Sequence, residues 1–407
     1  MKNVFTIILV LISMGSYSQT LEEYFKIAAE NNPGLLSQYK EFEAVLQKVP
    51  QVSTLPDPSL SFGYFVSPVE TRVGPQKARF SLTQMFPWFG TLKAQGDAAA
   101  LMAEAKYQSF LDASNKLYFE VSAAYYPLYE LQEWIKIEER NIAILESYKT
   151  ISNSKFKNGV GTLVDVLRVD IFLKESQTNL EILKKKERPL LTTFNKLLNR
   201  GEFEPVSISE TLEIDMLSFD NGKDSLLVDH PLLNSLELKV KAVEASERAA
   251  IKQGFPKIGL GLDYVMVDKR TDMVVPDNGK DVLMPIVTLS LPIFRKKYKA
   301  AVKEAQLMQE SYSLQKTEMT NSLLSNYEMA FFDIEQQTAL VSLFDEQITE
   351  SEQALNLLFT SYGNSGKDFE EVLRMQQQLL TYDKLKITAL KQYKIALAKL
   401  NYITAKK

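Results

Sequence analysis

The sequence contains no cysteine and a single histidine, His230. Disulfides, thiol nucleophiles, Cys/His zinc sites and histidine-based triads are therefore excluded, and with them most of the usual equipment of an enzyme. Glycine and proline are scarce, 16 and 15 in 407 residues, against roughly 12% for the pair in an average protein. Few chain breakers beside abundant Leu, Lys, Glu, Gln and Ala imply long uninterrupted helices. Excess positive charge is also missing: the net charge of −4 leaves no footprint for nucleic acid. No Gly-x-x-x-x-Gly-Lys phosphate loop occurs, so a nucleotide-driven activity would need a partner. Nor is there an apolar run of the ~20 residues that a spanning helix requires. The one apolar stretch, Val4 to Ile12, follows Lys2 and precedes Ser16-Tyr17-Ser18, the layout of a secretory signal over residues 1–18. Any later membrane crossing would have to be made by strands.

What is present is a sequence written twice. Pro58-Ser59-Leu60-Ser61-Phe62-Gly63 is echoed by Pro256-Lys257-Ile258-Gly259-Leu260-Gly261, Phe86-Pro87-Trp88-Phe89 by Leu291-Pro292-Ile293-Phe294, and Val166-Leu167-Arg168 by Val372-Leu373-Arg374. A period near 200 residues exceeds the ~20–50 of solenoid units and fits duplication of a whole half. The expected organisation is a first repeat over 19–200, a linker over 201–229 with Glu-Pro and Asn-Gly breaks, and a second repeat over 230–407. Each repeat reads as helix, strand, loop, strand, very long helix, tight turn and helix. Helices are expected over Leu21 to Lys48 and from Thr91 to about Lys149, the latter on the order of 90 Å long. Pro127 falls inside it and should kink it. In the second repeat the helices run from Lys296 to about Thr360 and from Phe369 to Tyr402, and His230 before Pro231 reads as the residue that starts a helix.

Strands are expected near 58–66, 77–86, 256–267 and 283–292. Leu60, Phe62, Tyr64 and Val66 alternate with Ser59, Ser61 and Gly63; Ile258, Leu260, Leu262, Tyr264 and Met266 alternate with Lys257, Gly259, Gly261 and Asp263. Such alternation gives one apolar and one polar face. An ordinary sheet packed on helices would show it too. Three features favour a bilayer: lengths near the ~9–11 residues of a tilted spanning strand, polar faces of Ser, Gly and Thr, and aromatics at the inner ends, Phe86, Trp88, Phe89 and Phe294, where an interfacial girdle sits. Four strands cannot close a barrel and open edges are intolerable in lipid. Oligomerisation follows, with eight strands from two chains or twelve from three. The loops Ser67 to Gln76 and Asp268 to Lys280 suit an outer mouth. Met85, Met266 and Met284 read as lipid-facing or packing residues rather than metal ligands.

The order of these features, with Phe156-Lys157-Asn158-Gly159-Val160-Gly161-Thr162-Leu163-Val164-Asp165-Val166-Leu167 and Ala123-Ala124-Tyr125-Tyr126, resembles the TolC-like outer membrane efflux protein family over essentially the whole mature length. The resemblance implies a mixed α/β membrane protein: a trimer whose twelve-stranded transmembrane β-barrel continues into a long antiparallel α-helical barrel in the periplasm. It implies a passive exit duct in the outer membrane of a Gram-negative bacterium, neither an enzyme nor a cofactor binder, working with a periplasmic adaptor and an inner-membrane pump of RND type, in contact with outer-membrane lipid. Leu55-Pro56-Asp57-Pro58 and Gln84-Met85-Phe86-Pro87-Trp88-Phe89-Gly90 look like the metal-ion exporter subgroup. Many relatives carry a lipidated N-terminal cysteine, and without one no lipid anchor is expected. By matched position, Asp165 and Glu371 are candidates for an acidic ring at the tunnel entrance, the alternative being helix N-terminal carboxylates like Asp368 and Glu370. Phe156, Gly159, Gly161, Thr162, Tyr362 and Ser365 are candidates for the periplasmic tip that meets the adaptor. No metal site is expected in the chain. The rival reading is a soluble periplasmic coiled-coil adaptor or scaffold without a bore.

Overall fold

The computed structural model describes residues 20–208, 211–214, 229–365 and 369–406. The expected signal over 1–18, much of the expected linker and Asp368 lie outside the described residues. The chain forms helices α1 (Leu21–Asn31), α2 (Pro33–Leu46) and α3 (Lys48–Ser53), strands β1 (Ser59–Thr71) and β2 (Gly74–Phe86), and helices α4 (Thr91–Lys157) and α5 (Leu163–Leu197). After residue 230 come α6 (Pro231–Gln253), β3 (Lys257–Val267), β4 (Val282–Ser290), α7 (Lys296–Ser365) and α8 (Phe369–Ile403).

The single helix expected over 21–48 is instead three. Asn32 precedes Pro33, whose ring disfavours helical backbone at the residue before it; Asn32 accordingly has ψ 118°. Its side chain turns the break into a cap, accepting from the Leu35 amide at 3.0 Å and donating to the Leu197 carbonyl at 2.9 Å. The expected loop over 67–76 is also corrected. β1 and β2 continue into a hairpin turning at Arg72 and Val73, with a register shift between Tyr64 and Val69. Pro68 is tolerated there because it lies within that shift, where no ladder hydrogen bond is required of it. Gly74 must be glycine, since it has φ 132° and a Cβ would lie 1.8 Å from the Asp268 carbonyl oxygen. The helix expected to stop near Lys149 runs on to Lys157.

The chain divides into two compact units. One comprises residues 37–113 and 223–324 and holds the antiparallel sheet, in the order β1-β2-β3-β4. Its helices follow the same order. Tyr39 of α2 meets Phe110 of α4 at 5.3 Å, Ser109 of α4 meets Ser235 of α6 at 3.2 Å, and Glu237 of α6 pairs with Lys316 of α7 at 3.0 Å. Exposed apolar residues remain on the outer two helices, Tyr39 and Leu46 on α2, Leu307 and Leu314 on α7.

His230 caps α6: its Nδ1 accepts from the Leu232 amide at 3.2 Å, and Pro231 supplies the first turn. The side chain is fully buried. Burial pushes its pKa from 6.5 down to about 4, and protonation would also destroy the cap acceptor. The unfolded chain therefore binds the proton first. The stability that this group contributes is complete above pH 6.5 and is lost as pH falls toward about 4, by about 3 kcal/mol per chain. His230→Asn keeps a cap acceptor and should lack that acid-side loss, a difference visible in urea midpoints of the two proteins between neutral pH and pH 4.

The second unit comprises the described parts of 1–36, 114–222 and 325–407. At the helix ends its core is apolar: Leu145 and Tyr148 of α4, Val169 and Leu173 of α5, Tyr362 of α7, and Phe369, Val372 and Leu373 of α8. Further along the same α4 face the seam with α8 is polar. Glu130 accepts from Lys391 at 2.9 Å and from Thr388 at 2.8 Å, Glu138 pairs with Lys384, and Gln376 donates to Asn141 at 3.1 Å. Pro127 lies one turn before this seam, within a helix that continues through it.

Candidate functional site

The register sorts the sheet into two faces. On one, Leu60, Leu82, Leu262 and Pro285 form a row across all four strands, and Phe62, Phe80, Tyr264 and Leu283 form the next. On the other, the rows are Ser59, Thr83, Gly261 and Ile286, then Ser61, Ser81, Asp263 and Met284. The polar face carries its own neutralisation, because Arg79 pairs with the buried Asp263.

The apolar face is not covered. Leu60 is 70% exposed, Phe62 63% and Val287 73%. Burying one such side chain is worth about 1.5–3 kcal/mol, so a face of this size left in water would forfeit tens of kcal/mol. This removes the ordinary sheet packed on its own helices. Among the described residues no helix is long and apolar enough to span a membrane. The methionines divide between the faces. Met266 lies in the apolar set, whereas Met85 and Met284 fall in the polar rows, Met85 with its sulfur over Gly259. Of the inner-end aromatics, Phe89 and Phe294 are 78% exposed, while Trp88 stacks on Phe255 at 5.3 Å and Phe86 is half-buried.

The other site lies at the helix turns of the second unit. α4 ends as Gly159 adopts φ 73° and the amides of Val160 and Gly161 donate back to the Lys155 carbonyl, at 3.0 and 3.1 Å. Thr162 then starts α5 with a capping box: its hydroxyl accepts from the Asp165 amide, and the Asp165 carboxylate accepts from the Thr162 amide, both at 3.2 Å. α7 ends beside this turn. Lys155 Nζ donates to the Tyr362 and Gly363 carbonyls at 2.7 and 3.1 Å and lies 4.5 Å from the Tyr362 ring centre. Tyr362 is buried against Phe369 at 4.4 Å. Burial and the Asp165 charge both push its hydroxyl above the usual tyrosine value.

Glu371 pairs with Arg374 on its own helix, and Glu370 with Arg168 of α5 at 2.7 Å. The fold therefore brings Thr162 and Asp165 together and sets the Asp165 charge near Tyr362, whereas Glu371 makes no bond to Asp165. Phe156 is 43% exposed, with Val160, Val164, Leu167 and Ile171 exposed beyond it. Ser365 is the last residue of α7. Sequence reasoning missed Lys155 and the Glu130–Lys391 and Glu138–Lys384 pairs. Glu138 had a signal: it stands seven residues from both Leu131 and Leu145, inside the apolar stripe of α4.

A sheet with one uncovered greasy face and two unpaired edges is thus joined to helices of 67 and 70 residues. Residues 223–406 match the family described as Outer membrane efflux protein. No curated protein matches the chain by sequence. Among solved structures it is similar to CusC, described for transmembrane channel formation, with 13% identity, 95% of this chain and 92% of that chain covered, and TM-score 0.79. The outer membrane protein VceC of Vibrio cholerae gives 15%, 95%, 96% and 0.75, and the open-state MtrE outer membrane channel of Neisseria gonorrhoeae 17%, 95%, 89% and 0.74. The match to the Outer membrane efflux protein family thus covers residues 223–406, and the fold of the whole chain is that of these outer-membrane channels. The family is one of transport proteins, not enzymes.

Proposed function

We infer that the chain is one of three identical protomers of an outer-membrane exit duct, through which an inner-membrane pump, coupled by a periplasmic adaptor, discharges its cargo. The observation that carries this is the uncovered apolar face backed by a polar face of Ser, Gly and Thr. In lipid the first is solvated and the second lines a wet bore. The unpaired edges are β1 and β4. Four alternating strands leave β4 of one copy antiparallel to β1 of the next, so closure needs no parallel seam. In chain order α3 leads into β1 and α7 follows β4, at the same two edges, and three copies give the twelve strands that the family resemblance implies. A signal over 1–18 and duplicated halves over 19–200 and 230–407 fit an exported chain of this kind. The test is detergent extraction with mass determination, then planar-bilayer recording. A monomer that leaves the membrane in salt washes and carries no current would end this reading and favour the soluble adaptor.

The tip would dock the adaptor through Phe156 and the turn that Gly159, Gly161 and Thr162 shape, with Tyr362 and Ser365 supporting from α7; Tyr362, being buried, would act by holding that turn. Phe86, Trp88, Phe89 and Phe294 would mark the membrane interface. An RND-type pump and metal-ion cargo are the finer readings, resting on Leu55-Pro56-Asp57-Pro58 and the 84–90 segment. Asp165 and Glu371, three copies each, would ring the entrance with negative charge, weakened at Glu371 by Arg374. Asp165→Asn preserves a cap acceptor, so D165N/E371Q should remove charge without loosening the turn. Cation selectivity in asymmetric salt should fall severalfold; an unchanged reversal potential would dismiss the ring.

A further inference from the structure

Where the sheet meets the helices, the apolar face gives way to uncompensated positive charge. Beyond the last apolar row, Phe86, Ile258 and Leu289, stand the exposed Leu291, Ile293 and Phe294. Arg295, Lys296, Lys297 and Lys299 follow at once, with Lys252 at the end of α6. From Val282 to Lys303 there is no acidic residue. None of these cations has a carboxylate partner among the described residues: Lys252 donates to the Phe89 carbonyl and Arg295 to that of Gly254, each at 3.1 Å, and Lys297 lies 4.9 Å from the Tyr298 ring centre. Elsewhere on these helices cations are paired, as in Lys106–Glu41 and Lys316–Glu237. Like charges this close repel, and at the start of a helix they also oppose its dipole. Beyond the carbonyl contacts of Lys252 and Arg295, the protein alone gains nothing from the arrangement.

We propose that this cationic collar binds the anionic phospholipid headgroups of the leaflet on the helix side of the barrel. The proposal rests on the membrane reading above. Two observations select this occupant. The collar is continuous with the apolar face, so a lipid whose chains lie on Leu289, Leu291 and Ile293 brings its phosphate to these residues. Arg295, Lys296, Lys297 and Lys299 are also all exposed, and at about 100° per residue the three lysines of α7 spread over roughly half of the helix circumference, so they present charge to a leaflet on that side. A cleft of about 330 Å³ nearby is lined by Ile251, Phe255 and Tyr298 together with Arg295, Lys299 and Lys303.

The test uses the full-length protein in phosphatidylcholine vesicles doped with spin-labelled phosphatidylglycerol or spin-labelled phosphatidylcholine. The protein-bound fraction should favour phosphatidylglycerol on the order of tenfold at low salt. The preference should approach one in R295Q/K296Q/K297Q/K299Q and persist in K157Q/K174Q/K185Q, which removes exposed lysines elsewhere. If the quadruple variant fails to assemble, K299Q and the salt dependence of the wild-type preference decide: a preference untouched by both overturns the proposal. Loss of the preference to millimolar inorganic phosphate at matched ionic strength would replace the lipid by a free-anion site. Equal binding of the two lipids by a protein that still conducts overturns the collar and leaves the duct standing. A protein that neither inserts nor conducts sinks the duct, and the collar with it.

Discussion

Leu262→Arg is expected to abolish the assembled channel, while Ser81→Arg, one position along the next strand, leaves it assembled. Leu262 lies in a central apolar row with Leu60 and Leu82, and Ser81 in the neighbouring polar row with Ser61 and Asp263. On the lipid side an arginine near the bilayer midplane costs about 2–4 kcal/mol, and the same residue toward a wet lumen costs little. Three copies of Leu262→Arg multiply the penalty to about 6–12 kcal/mol per trimer, comparable with the whole stability of a typical folded domain. Heat-modifiable migration on semi-native gels, with the unfolding midpoint in detergent, would report it. A Leu262→Arg trimer as robust as wild type would mean that this face meets water or protein, and the bilayer assignment would fall.

The strands were legible because their chemistry has period two, and Leu60-Ser61-Phe62-Gly63 admits no helical reading. The first strand pair was nevertheless cut short. Ser67-Pro68 carries turn chemistry, and only the register shift against β2, a matter of pairing, lets a proline sit inside the strand. The break at Asn31-Asn32-Pro33-Gly34 carries turn chemistry of its own and was passed over only because longer helix-forming runs flank it. At the tip, Gly159 and Thr162 were legible because their roles are set by backbone geometry within a few residues. Lys155 was not, since its acceptors are carbonyls 207 and 208 positions away. Asp165 was open between a ring charge and a helix-start carboxylate; it makes the capping box, which leaves its charge in place for the first role.

The α4–α8 seam was the least legible part, and it yields the second large effect. Glu138 is completely buried and its partner Lys384 is 24% exposed. Removing one member of a buried pair leaves an uncompensated charge and costs about 3–5 kcal/mol, whereas apolar replacement of both is often neutral or stabilising. Lys384→Met should therefore destabilise the protein by about 3 kcal/mol per chain, at the lower end because Lys384 reaches solvent. E138L/K384M should return most of that loss, since Leu and Met fill similar volume along a stripe that already contains Leu131 and Leu145. A double-mutant cycle on denaturant midpoints separates the two contributions. If K384M and E138L/K384M lose the same stability, Glu138 is not held by Lys384, and the seam is held by the Asn141–Ser176–Gln376 network and by Glu130 with Lys391. If the double variant is as stable as wild type, the pair is retained for something other than stability. Its position on antiparallel helices, one pair at Glu130–Lys391 and the next at Glu138–Lys384, suits fixing the register of α8 against α4. A one-turn slip would strand both carboxylates in the core at once.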